Sequence, residues 1–176
     1  MRNVFSAMMV LLLLGFISAP AWSQVESIEM RVAGLACPFC AYGLEKKLKE
    51  VRGVSKVEIR VDEGLVILEG KKGESIDVDR LKPAVKDAGF TAGEITGTAI
   101  GNVATVNDRA VLQVSGTDAE FILEENSALK DLKGKLHGSE RVRLTGRIEE
   151  QTPRGHHGHP FTMTVEQFEL LGSGTE

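Results

Sequence analysis

The stretch Gly34-Leu35-Ala36-Cys37-Pro38-Phe39-Cys40-Ala41 holds the only two cysteines of the chain, separated by two residues. Ahead of it, Ile28, Met30 and Val32 alternate with polar residues, which predicts a strand that ends at the first glycine of the stretch. Behind it, residues 38–51 place apolar side chains on one face and charged side chains on the other, which predicts a helix. The cysteines therefore lie at a predicted turn from strand to helix.

The residues that follow continue this alternation of strands and helices. Strands are predicted at residues 57–61 and 65–68, a helix from about 75–77 to Gly89, and a last short strand at 94–98. The order strand, helix, strand, strand, helix, strand is that of a ferredoxin-like sandwich. The sequence thus predicts an α+β fold with a first domain at residues 24–97.

The remaining residues, 98–176, have a different character in which strand-like runs dominate. They predict three strands, a short helix capped by Asn126, and two more strands, a sequence of elements that suits a small mostly-β, OB-like five-stranded barrel. The strands are expected at residues 103–106, 110–114, 120–123, 142–148 and 161–170. This half is acidic and poor in aromatic residues, which disfavours nucleic acid as its ligand.

The first 23 residues resemble an export signal. Residues 4–17 form an almost unbroken apolar run, and Ala21 and Ser23 are small residues suited to a cleavage site. We expect a cleaved signal peptide at residues 1–23, a periplasmic location and no membrane span after cleavage; the alternative is an uncleaved N-terminal anchor.

Composition excludes several other classes of protein. The chain has 176 residues, 42% of them hydrophobic and 26% charged, with a net charge of −4. These values disfavour a disordered chain, a multi-span membrane protein and a binder of nucleic-acid backbones. No nucleophile elbow, paired carboxylates or phosphate-binding loop is present, so an enzyme is not indicated.

The spacing of Cys37 and Cys40 predicts chemistry based on thiolates. Thiolates are soft ligands, and two of them without nearby carboxylates favour Cu(I) or another soft ion such as Hg(II). A structural zinc site needs about four protein ligands, more than these two cysteines supply. Two alternatives stay open, namely a thiol-disulfide redox protein that uses the same pair and a structural disulfide.

The cysteine stretch, together with Leu44, residues 46–48 and the pair Gly53-Val54, resembles the heavy-metal-associated domain of copper chaperones and periplasmic mercuric-ion binding proteins. Residues 87–90 fit the later part of that domain, and the resemblance covers about residues 26–97. It implies that Cys37 and Cys40 are metal ligands and that Phe90 lies beside them. It also implies a metal-donor or acceptor protein as partner, such as a membrane metal transporter.

This chain departs from the family where Met and Thr usually precede the first cysteine, because it has Leu35 and Ala36 instead. A second candidate site is the tract His156, His157 and His159, whose three imidazoles suit Cu(II), Ni(II) or Zn(II). The tract is equally typical of a polar loop that faces water. If it is functional, we expect it to collect metal or to pass it towards the cysteine pair.

Overall fold

The computed structural model describes residues 24–115, 117, 119–138, 140–151 and 161–172. The expected signal peptide at residues 1–23 and the histidine tract at 156–159 lie outside the described residues. Within the described part, no helix is both long enough and apolar enough to cross a bilayer.

The first half of the chain forms an antiparallel sheet with two helices. The strands pair in the order β2-β3-β1-β4, and α1 packs against β2 and α2. This is the ferredoxin-like order of elements that the sequence predicts. The bounds are β1 Gln24–Ala33, α1 Pro38–Lys49, β2 Val54–Arg60, β3 Leu65–Gly70, α2 Leu81–Asp87 and β4 Thr91–Val106.

The second helix begins later than the sequence predicts. The backbone N–H of Asp77 donates to the carbonyl of Arg52 at 3.1 Å, which ties this residue to a neighbouring loop. A 3₁₀ turn at Val78–Arg80 follows, and α2 starts at Leu81. Pro83 is then the third residue of α2, where a backbone N–H would have no partner within the helix, so its missing donor costs little.

The second half adds β5 Arg109–Val114, β6 Glu120–Leu123, α3 Ser127–Lys135, β7 Arg141–Glu150 and β8 Phe161–Leu170. The strands β4, β5, β6, β8 and β7 pair in that order, and β7 pairs again with β4, so the pairing closes on itself. β6 and β8 are parallel, whereas the other pairs are antiparallel. The elements occur in the predicted order; the OB-like barrel itself stays a prediction.

β4 is one strand of 16 residues, not the two short strands expected at 94–98 and 103–106. It pairs with β1 over residues 91–100, with β5 over 101–106 and with β7 over 95–102. The expected domain boundary near Gly97 therefore falls inside a continuous strand. In the sequence, Gly101 looks like a break between two strands. In the structure it lets β5 approach β4 closely, because a Cβ at this position would lie 2.1 Å from the carbonyl oxygen of Gln113.

One cluster of buried apolar side chains extends through both halves. Met30 and Met163 are completely buried members of it, so both are core residues. Asn126 caps α3 as predicted, since its Oδ1 accepts a hydrogen bond from the N–H of Leu129 at 2.8 Å. Its Nδ2 also donates to the carbonyl of Val165 at 2.7 Å, which joins the helix to β8.

We expect Gly101→Ala to lower the free energy of unfolding by about 1–3 kcal/mol, because the new methyl group would push a backbone carbonyl of β5 rather than a movable side chain. Gly134→Ala is the matched control. Gly134 lies in α3 with no atom near the position of a Cβ, so alanine should stabilise the protein by about 0.5–1 kcal/mol. Urea unfolding midpoints of both variants test this, and equal effects of the two substitutions would contradict it.

Candidate metal centre

The cysteine loop begins with a sharp turn at the end of β1. Gly34 has φ +94°, a backbone conformation that favours glycine, and its carbonyl accepts a hydrogen bond from the N–H of Ala36 at 2.9 Å. Leu35 is buried at 8% exposure and anchors the loop in the core. The turn thus places the cysteines at the surface, next to the buried side chain of Leu35.

Both cysteines lie at the start of α1. Cys37 is the N-cap residue with extended backbone angles, and its carbonyl accepts hydrogen bonds from the N–H groups of Cys40 at 3.1 Å and Ala41 at 3.2 Å. Cys40 is in the first turn and is exposed, while Cys37 is half-buried. No acidic residue lies in this first turn. The free N–H groups at the N-terminus of a helix favour anions, so this position suits thiolates.

The pKa values of the two thiols are shifted in opposite directions. The pKa of Cys37 is lowered by the backbone N–H of Cys40, then by the thiol of Cys40 and the N–H of Phe39. The pKa of Cys40 is raised, chiefly because its thiol donates to the Cys37 thiolate and secondly because of that negative charge. The Cys37 thiolate therefore forms at a lower pH than that of an ordinary cysteine, which is the property that a nucleophilic or metal-binding thiol needs.

Phe90 lies beside the loop, as the resemblance implies. Gly89 turns the chain with φ +86°, and the N–H of Phe90 donates to the carbonyl of Val85 at 3.1 Å. A Cβ on Gly34 would lie 3.5 Å from Cδ1 of the Phe90 ring. The half-buried Phe90 ring, which follows the end of α2, thus packs against the loop that carries the thiols.

Sequence reasoning missed one feature of this site. Two aromatic side chains at the start of α1 lie at the surface, since Phe39 is 91% exposed and Tyr42 is 72% exposed. The spacing of α1 contains the signal for this, because Ala41, Leu44 and Leu48 are its buried face and residues 39 and 42 fall on the opposite face.

The other predicted ligands are not assembled with the cysteines in the described residues. His156, His157 and His159 lie outside them, and His137 is exposed at the surface. Across the described ranges, no group of three or more His, Cys, Asp or Glu side chains is arranged to hold a metal ion. The site that the structure presents is the thiol pair of Cys37 and Cys40.

Comparison with known proteins identifies the first half. Residues 29–91 match the family model of the heavy-metal-associated domain. The mercuric transport protein periplasmic component of Pseudomonas fluorescens is 30% identical over 92 residues, which are 93% of that protein and 51% of this chain. The chain belongs to the heavy-metal-associated domain family.

Other family members give similar matches. The Shigella flexneri protein of the same name is 32% identical over 74 residues, which cover 78% of it and 41% of this chain. Among solved structures, oxidised MerP from Ralstonia metallidurans CH34 is 25% identical and has a TM-score of 0.35, with 93% of that chain and 39% of this one covered. The matched residues of the family model extend from β1 into the first residue of β4, so they include the cysteine loop and α1.

The difference in acidity predicts how each thiol responds to loss of the other. Cys40→Ala should raise the pKa of Cys37 towards its ordinary value, because a donor to its thiolate is lost. Cys37→Ala should lower the pKa of Cys40 towards its ordinary value, because both the acceptor and the charge are lost. Thiolate absorbance and the pH profile of iodoacetamide alkylation measure both shifts. A Cys37 that titrates identically with and without Cys40 would contradict the hydrogen-bonded pair.

Proposed function

We propose that this protein is an exported carrier of a soft metal ion. The Cys37 and Cys40 thiolates hold Cu(I) or Hg(II), and the ion passes to a partner protein by ligand exchange. A metal-donor or acceptor protein, such as a membrane metal transporter, is the partner. The protein is not an enzyme in this proposal, and the metal ion is its cargo.

The observation that carries the proposal is the position of both thiols at the start of α1, where Cys40 is exposed, Cys37 is half-buried and the pKa of Cys37 is lowered. A pair in this position offers two sulfur atoms to an ion from outside the fold. Because the described residues bring no further ligands to the pair, the coordination number is low, and low coordination lets an incoming thiolate bind before an old one leaves.

The choice of ion follows from ligand softness. Two thiolates bind Cu(I) and Hg(II) better than hard ions such as Mg²⁺ or Ca²⁺. The names of the relatives, mercuric transport proteins, support mercury, and their periplasmic designation agrees with the export signal expected at residues 1–23. We propose a periplasmic location for this chain on both grounds.

For the second half we propose an OB-like barrel. Support comes from the closed pairing of β4, β5, β6, β8 and β7 and from the parallel pair β6 and β8, with α3 between β6 and β7. Its acidic balance and few aromatic residues favour docking of a protein, or a spacer role, over binding of nucleic acid.

The test is metal analysis of protein purified under reducing conditions. We expect one Cu(I) or Hg(II) per wild-type chain and loss of the bound ion in Cys37→Ser and Cys40→Ser, because one thiolate cannot replace the chelating pair. His137→Ala is the control, since it removes an exposed imidazole from another part of the surface and should leave the stoichiometry unchanged. Equal metal contents in wild type and both serine variants would overturn the proposal.

A thiol-disulfide redox protein is the second candidate, because a lowered pKa at Cys37 also suits a redox nucleophile. An insulin-reduction assay on the same samples distinguishes the two. Rapid turnover by a protein that takes up no metal would favour the redox function and exclude the carrier.

The histidine tract is tested by replacing His156, His157 and His159 together with alanine. If the tract collects metal, the Cu(II) or Zn(II) stoichiometry should fall or loading of the cysteine pair should slow. Isothermal titration with each ion and the rate of loading under reducing conditions measure these effects. Unchanged values would leave the tract without a role in metal binding.

A further inference from the structure

Two large apolar side chains are exposed next to the thiols. The described residues contain three exposed large hydrophobic side chains, namely Phe39 at 91%, Tyr42 at 72% and Leu170 at 38%. Two of the three are on the first turns of α1. An aromatic ring left in water forfeits the favourable free energy of burial, so neighbouring exposed rings indicate an interaction surface.

An exposed lysine, Lys46, follows the two aromatic rings along the same face of α1. Phe39, Tyr42 and Lys46 follow at intervals of three and four residues, which aligns them on a helix. Lys47 and Lys49 are paired with Glu50 at 3.7 Å and with Glu45 at 2.6 Å. Lys46 is exposed and makes no ion pair with any described residue. This face therefore has an apolar end beside the thiols and an uncompensated cation further along.

Ligand exchange brings this face into contact with the partner. Phe39 lies between the two cysteines in the chain, and it points to solvent. A partner whose sulfur atoms reach an ion held by Cys37 and Cys40 must cover the space next to Phe39. The ring is then at the centre of the contact, which is where aromatic residues contribute most to protein binding.

We infer that Phe39, Tyr42 and Lys46 form a docking surface for the acceptor protein, and that the acceptor presents an apolar pocket edged by carboxylates beside its own thiols. The inference rests on the proposed carrier function and adds the chemistry of the partner. The carboxylates of the acceptor are inferred from charge complementarity, because Lys46 has no anionic partner among the described residues. The apolar pocket of the acceptor is inferred from the two exposed rings.

The transfer that this surface supports is balanced. An acceptor thiol loses its proton as its sulfur binds the ion, and a cysteine of this chain takes up a proton as its sulfur is released. The second exchange repeats the first. Neither the ion nor any sulfur is oxidised or reduced, so no co-reactant is required.

Two synthetic dithiol peptides serve as acceptor probes. Both contain two cysteines separated by two residues and flanked by aspartates; one has leucines beside the cysteines and the matched peptide has serines there. Full-length protein loaded with one Cu(I) donates to each peptide in a stopped-flow measurement. We expect about tenfold faster transfer from wild type to the leucine peptide than to the serine peptide.

The variants locate the effect on the docking surface. In Phe39→Ala and Tyr42→Ala the ratio of the two rates should fall towards one, and Lys46→Glu should slow transfer to both peptides through repulsion by the aspartates. Leu170→Ala is the matched control, because it truncates an exposed apolar side chain on β8, and it should keep the wild-type ratio. Cu(I) affinity, measured by competition with a chromophoric chelator, should be the same in all of them.

Three outcomes would overturn the inference. Equal transfer rates from wild type to the two peptides, or a wild-type ratio in Phe39→Ala, would remove the docking surface while leaving the carrier function in place. Failure of the wild-type cysteine pair to bind Cu(I) or Hg(II) at all would instead overturn the proposed function and the docking surface with it.

Discussion

The pairing of β4 on both of its edges is the constraint on which the rest of the structure depends. Residues 95–100 pair with β1 on one side and with β7 on the other, and residues 101–106 pair with β5. The strand that completes the ferredoxin-like sheet is therefore also a member of the closed set of five strands. Gly101 makes this possible, since its lack of a side chain lets the carbonyl of Gln113 approach the strand.

The same strand positions the thiols. Ala33 at the end of β1 pairs with Thr91 at the start of β4, so the loop after β1 and the turn before β4 lie together. Phe90 extends from that turn to Gly34, and the cysteines follow at the N-terminus of α1. The candidate metal centre is thus a surface loop held on the sheet, an arrangement that keeps the two thiols accessible without loosening the core. Arg143 on β7 strengthens the joint, because its Nε donates to Glu26 on β1 at 2.9 Å and its Nη1 to Glu169 on β8.

Local patterns account for most of the elements and for the thiol pair. The alternation at residues 28–32, the buried face of α1 and the capping by Asn126 depend on neighbours within a few residues, so they can be recognised along the chain. The length of β4 could not be predicted, because in the sequence Gly101 could belong either to a strand or to a turn. The contact that requires a glycine there comes from the carbonyl of Gln113, which is on another strand. The predicted start of α2 was wrong for a similar reason, since the hydrogen bond from the N–H of Asp77 to the carbonyl of Arg52 joins distant parts of the chain.

The sequence by itself determined that two thiols lie at a strand-to-helix turn of a ferredoxin-like fold, because that information is contained in a short run of residues and in helix and strand periodicity. Only the tertiary structure decided the acidity of each thiol and the union of the two halves through β4. Acidity depends on which donors reach a sulfur atom, and strand pairing depends on hydrogen bonds between residues far apart in the chain. Each of these is a relation in space that spacing along the sequence does not contain.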